Sequence, residues 1–164
     1  MALRQVFEGI LHEPEVFSKD EGFEFRFETF QDLKTSLVRI FGTAGRAILY
    51  DAGIEPGRRS CRRIMAVART KEEVLRLLVV KKNRQNWGDL VIDEMDLKTK
   101  SGRISMSNCF EAREADSRGP SCDFIRGYLG GFLSEFFGEE KVMMREESCK
   151  AEGASKCTFV FGIV

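Results

Sequence analysis

Glu146, Cys149 and Cys157 follow one another at intervals of three and eight residues, with Gly153 between the two cysteines. The runs on either side alternate. Val142, Met144 and Glu146 share one side of a strand near 141–148, and Cys157, Phe159, Phe161 and Ile163 share one side of another near 156–163. A period of two on both sides of a glycine turn predicts a β-hairpin. Closing that hairpin brings the two thiols of its tip within reach of one ion. A third thiol, Cys122, stands at the first turn of the preceding predicted helix. Unpaired N–H groups at a helix start favour the thiolate, which is the species that binds metal. Three thiolates and a carboxylate make a closed tetrahedral set suited to zinc, with no position left for water and hence a structural role. The same spacing also allows two other readings: thiols buried as small hydrophobes, or a Cys149–Cys157 disulfide. Cys61 and Cys109 have no comparable arrangement and read as core residues.

The helix before the hairpin is opened by Pro120 and Ser121 and closed by Gly138, with Ile125, Leu129, Phe132 and Phe136 as its stripe. Upstream, Phe23, Phe25 and Phe27 alternate with Glu24, Arg26 and Glu28, which predicts a strand. Leu33, Leu37, Ile40, Phe41, Ala44 and Ile48 then recur at helical spacing, with a stop expected at Gly53 and Pro56 beyond it. A helix over 58–69 places Arg58, Arg59, Arg62 and Arg63 outward and Ile64, Met65 and Val67 inward. Thr70 with Glu73 forms a capping box for the next helix, through Val74, Leu75, Leu77 and Leu78. Residues 89–97 and 103–111 flank a polar turn as a second hairpin, and 111–119 read as loop. The order β, α, α, α, β, β, α, β, β defines an α+β (mixed α/β) class with a mostly antiparallel sheet packed with helices. No repeat or linker interrupts it, so residues 1–164 read as one domain.

Composition narrows the function. With 26 basic and 26 acidic residues in 164, the net charge is zero, which argues against a nucleic-acid-wrapping surface. No apolar run approaches the ~18 residues of a membrane span. Five cysteines, an odd number, follow an N-terminus without a secretory pattern, so a disulfide framework is not expected and the location reads as cytoplasmic. Fourteen Phe against two Tyr and one Trp mean that most aromatic surface packs dry or lines an apolar cavity. The basic run at 58–63 reads as a solvated helix face. The glycines at 42, 45, 127, 130 and 131 lie inside helical patterns and make no dinucleotide fingerprint. Three glycines in the last helix cost about 1 kcal/mol each relative to alanine, and close helix packing would offset this.

The stretch from Cys122 to Phe132, the Glu146–Cys149–Gly153–Cys157 spacing, Ile48 to Gly53 and Ser107 to Ala112 together resemble the vinyl-4-reductase (hydrocarbon-binding) domain family. The resemblance covers most of residues 30–164, and residues 1–25 add little to it. It implies the fold of transport-particle subunits and of NO-signalling ligand-binding domains, shared with the sensor domains of aromatic-responsive activators. It also implies a small hydrophobic molecule held in an enclosed pocket, a homodimer, and a zinc ion on Cys122, Glu146, Cys149 and Cys157. Phenol sensors of this kind read the ligand hydroxyl with a His and a Trp. The single His here is His12 and the single Trp is Trp87, neither at the matching place, and Ser105, Met106 and Ser107 stand where the sensor Trp strand aligns. A more apolar ligand is expected.

Met106, Phe110, Leu129, Phe132, Val142 and Met144 are expected to converge as the pocket wall between the last helix and the sheet. The output reads as sensing or carriage, with any signal passed to a separate effector protein. Two further readings are an enzyme or accessory subunit in tetrapyrrole or hydrocarbon reduction, and a subunit of a larger assembly. No catalytic residue is identifiable.

Overall fold

The structure, a computed structural model, describes residues 25–113 and 121–163. Among the described residues, three helices come first: α1 (Phe27–Phe41), α2 (Thr43–Met65) and α3 (Lys71–Arg84). The strands β1 (Asp89–Asp96) and β2 (Ser101–Ser107) follow, then α4 (Asp123–Phe137), β3 (Met143–Ser148) and β4 (Cys157–Gly162). The four strands form an antiparallel sheet in the order β1-β2-β4-β3, so the two hairpins lie side by side through their second strands. This is the expected α+β class. Among the described residues, no helix is long and apolar enough to cross a membrane.

Local signals account for several boundaries. At the start of α3, Thr70 Oγ1 accepts the Glu73 N–H at 3.1 Å, while the Glu73 carboxylate reaches back to the Arg69 N–H at 2.7 Å. Gly138 closes α4 in the left-handed conformation, φ 68°. Ile125, Leu129, Phe132 and Phe136 are all buried, and so is most of the rest of α4.

Three expectations are corrected. Phe27 begins α1, not a strand; Phe27 and Phe30 turn inward at helical spacing and their rings meet Phe110. Phe23 and Pro120 lie outside the described residues. The helix expected to stop at Gly53 breaks at Gly42 instead, where φ is 58°, and α2 then runs through both Gly53 and Pro56. The reason is tertiary. A β-carbon on Gly53 would overlap the Phe124 carbonyl of α4, so glycine marks a helix crossing here and not a helix end. That crossing offsets the roughly 3 kcal/mol that an interior proline costs. Finally, Met65 and Val67 are exposed, while Ile64 is the residue of that trio that faces the core. The neighbouring arginines make surface ion pairs, Arg62 with Glu55 and Glu135.

Candidate metal centre

Cys122, Glu146, Cys149 and Cys157 come together from three elements, with their donor atoms all within 4.8 Å of one another and all four residues buried. The Sγ separations are 3.5 Å for Cys122–Cys157, 3.9 Å for Cys122–Cys149 and 4.0 Å for Cys149–Cys157. Tetrahedral bonds of about 2.3 Å to sulfur imply sulfur–sulfur edges of about 3.8 Å, so the three thiols already sit at the spacing of such a shell. The Cys149–Cys157 separation is far beyond the ~2.05 Å of a disulfide, and all five cysteines are free and buried.

The backbone explains how the donors meet. Cys122 caps α4, and its N–H donates to Glu146 Oε2 at 3.0 Å, fastening the helix start to β3. In the β3–β4 ladder Glu146 pairs with Phe159 and Ser148 with Thr158, so Glu147 is an extra residue on β3. Strict alternation would turn Cys149 to the face opposite Glu146. The bulge resets the phase, and both face inward. On β4, Cys157 pairs across from Met106 of β2.

The donor set fits a cation on electrostatic grounds. Glu146 Oε1 is buried with no hydrogen-bond partner among the described residues, an arrangement that is costly without an ion. Burial pushes the Glu146 carboxyl up to about 7. Hydrogen bonding from Cys109, Cys149 and Cys157, added to burial, drives the Cys122 thiol above the ordinary thiol range. Cys109, supported chiefly by Cys122 and then Cys157, is held down at about 5. Acidic groups crowded in a dry centre cannot all ionise together unless a positive charge joins them.

Cys109, read as a core residue, is fully buried in the core, and its sulfur also lies against the cluster, which sequence reasoning did not foresee. Its Sγ lies 3.5 Å from Cys122 Sγ. Glu111, read as loop, is equally placed: it is fully buried, and its two carboxylate oxygens accept the N–H groups of Phe124 at 3.0 Å and Ile125 at 2.8 Å. Lys34 of α1, also buried, donates to the carbonyls of Glu111 and Ser121 and pairs with the Glu111 carboxylate at 3.8 Å. Burial pushes Glu111 up to about 7, against the pull of Lys34. No local signal in the sequence distinguishes either residue, since their contacts join separate elements, 13 residues apart or more.

The six expected pocket residues divide between three places. Met106, Leu129 and Phe132 are enclosed in the core, at 1%, 1% and 0% exposure. Val142 and Met144 line a groove of about 710 Å³ between α2, α4 and the approach to β3, together with Tyr50, Ile54 and Arg126. Phe110 belongs to a second hollow of about 240 Å³, walled by Phe27, Phe30, Trp87 and Phe124.

The chain superposes on the phenol-responsive sensory domain of the transcription activator PoxR, solved with phenol, with a TM-score of 0.77 at 16% identity over 86% of this chain and 76% of that one. It also superposes on a trafficking protein particle complex subunit 3 from Naegleria fowleri, covalently bound to palmitic acid, with a TM-score of 0.65 at 12% identity over 84% and 92% of the two chains. These two likenesses establish the shared fold. In sequence, residues 103–163 match the V4R domain. A vinyl-4-reductase family protein from Methanocaldococcus jannaschii is 29% identical over 88% of this chain and 85% of that one, with a TM-score of 0.59. An uncharacterized protein of the same organism is 33% identical over 112 residues, 68% of this chain and 62% of the relative's length.

Proposed function

We propose that this chain is a single binding domain that encloses a small hydrophobic molecule beside a structural zinc ion, and that it serves as a sensor or carrier. Cys122, Glu146, Cys149 and Cys157 would hold the ion. The observation that carries the reading is the continuity of β3 with its approach: Val142, just before the strand, and Met144 line the groove, and Glu146, next on the same face, enters the donor cluster. A molecule seated in the groove would therefore bear on the strand that carries a metal ligand. The reading draws support from the two structural neighbours, one solved with phenol and the other with palmitic acid. A closed shell of protein donors stabilises the fold and leaves no open position for chemistry on the ion. Five free, buried thiols suit a reducing compartment, in line with a cytoplasmic location.

The protein is expected to act as a homodimer that signals to a separate effector. Leu33, Ile40 and Phe41 of α1 and Ile48 of α2 stand exposed, an apolar area of the kind that dimers cover. Native mass spectrometry of untreated protein tests all three parts. The expected species is a dimer with one zinc per chain and an added organic mass that denaturation releases. Protein with intact thiols carrying less than about 0.2 zinc per chain overturns the metal assignment. Failure of apolar probes, aromatic or acyl, to bind at micromolar concentration overturns the ligand assignment.

A further inference from the structure

We propose that Cys109 is a reserve ligand of the same metal centre, a fourth thiolate that takes the place of Glu146 when the carboxylate withdraws. The inference rests on the metal reading above and adds to it a donor outside the quartet. Its first support is geometric. Cys109 Sγ lies 3.5 Å from Cys122 Sγ, the separation that Cys157 Sγ also keeps from Cys122 Sγ. Both distances fit a tetrahedral edge of about 3.8 Å. Cys109 stands just outside the quartet whose donor atoms all lie within 4.8 Å of one another, a fourth sulfur against its Cys122 edge.

The second support is the clamp that holds Cys109 there. Phe110 N–H donates to the Trp87 carbonyl at 2.9 Å, and the Glu111 carboxylate is bonded to the first turn of α4. The turn that carries Cys109 and the helix start that carries Cys122 are therefore tied as one body.

The third support is the asymmetry of Glu146. Its Oε2 already accepts the Cys122 N–H, so the carboxylate keeps an anchor inside the cluster after leaving the ion. Zinc and its soft surrogates favour thiolate over carboxylate. In the exchange, one metal–oxygen bond breaks and one metal–sulfur bond forms. An anionic thiolate enters as an anionic carboxylate leaves, so the charge around the ion is unchanged and no electron moves.

The full-length chain, stripped by chelator and reloaded with Co(II) under reducing conditions, tests this. Thiolate-to-cobalt charge-transfer absorption counts the sulfurs on the ion. Relative to wild type, Glu146→Gln is expected to gain about one third in that band, four thiolates against three. Adding Cys109→Ser is expected to return the band to the wild-type level and to weaken Co(II) binding by about tenfold or more. Equal spectra and affinities for Glu146→Gln with and without Cys109 overturn the proposal. A wild-type chain that binds no Co(II) strikes instead at the metal reading itself. Should the double variant lose its fold by circular dichroism, cadmium NMR of Glu146→Gln alone decides: a four-sulfur shift supports the assignment and a three-sulfur shift refutes it.

Discussion

Gly127 of α4 rests on the backbone carbonyl of Tyr50 in α2, so closely that any β-carbon at residue 127 would overlap that oxygen. Gly131 meets the Ile54 carbonyl in the same way, and Gly57 of α2 returns the contact against Tyr128. The two helices thus cross backbone to backbone, which accounts for glycines that would otherwise only weaken α4. Gly127→Ala is expected to cost about 3 kcal/mol or more, because the overlapping atom is main chain and cannot rotate away. Gly130→Ala is the control. Its β-carbon would find Tyr50 Oη at 3.4 Å and Met144 Cβ at 3.6 Å, an ordinary fit. A change within about 1 kcal/mol is expected there, measured by urea denaturation of both variants.

Metal removal offers a second prediction. An ion bound by the folded chain alone stabilises it by mass action, so chelation is expected to lower the melting temperature and slow restoration of metal to reverse the loss. Cys149→Ser should reproduce most of that loss in metal-loaded protein. Cys61→Ser should not, because Cys61 is buried in α2 away from the cluster, its thiol pushed up to about 12 chiefly by burial. Differential scanning calorimetry with parallel elemental analysis checks both. Equal effects of the two substitutions would argue that the cysteines only pack.

The Glu111 carboxylate predicts a dependence on pH in the metal-free protein. Its folded value, about 7, lies above its ordinary value of 4.5, so the folded chain holds the proton more tightly than the unfolded one. Stability from this group is fully present below about 4.5 and is lost as pH rises through about 7. Glu111→Gln, which cannot titrate, should flatten that part of the profile. It should also cost about 2 kcal/mol at neutral pH, since one α4 N–H loses its acceptor and Lys34 loses its ion partner. Denaturation midpoints between pH 5 and 8 report the difference, and a parallel profile for the variant would refute the role.

The exposed face of α1 leads to a fourth. Ile40 is 60% exposed and Phe41 54%, beside the turn at Gly42. If a second copy covers them, Phe41→Glu should shift sedimentation from dimer to monomer at micromolar concentration, with circular dichroism unchanged. A buried charge at such an interface costs several kcal/mol. Retention of the dimer would place the contact elsewhere.

How much of this was legible beforehand varies by residue. The α3 start, the α4 end at Gly138 and both hairpins were readable, because capping residues, turn residues and side-chain periodicity act within a few residues of chain. The donor quartet was readable as a set of suitable chemical types at suggestive intervals, strengthened by a family resemblance. Its geometry was not, since the inward turn of Cys149 depends on the extra residue at Glu147, and a bulge leaves no mark in an alternating pattern. The helix boundary was misplaced because Gly53 and Pro56 carry the same local signal whether a helix ends or another helix crosses it.

What the amino-acid order determined by itself is therefore local: which segments coil, which extend, and which side chains can give up a proton to a cation. Tertiary structure alone decided that Cys109 lies against Cys122, that Glu111 caps α4, and that the apolar stripe of α1 remains outside the core. Those outcomes depend on contacts between atoms many residues apart, and their energies belong to the packed arrangement, not to any stretch of chain taken alone.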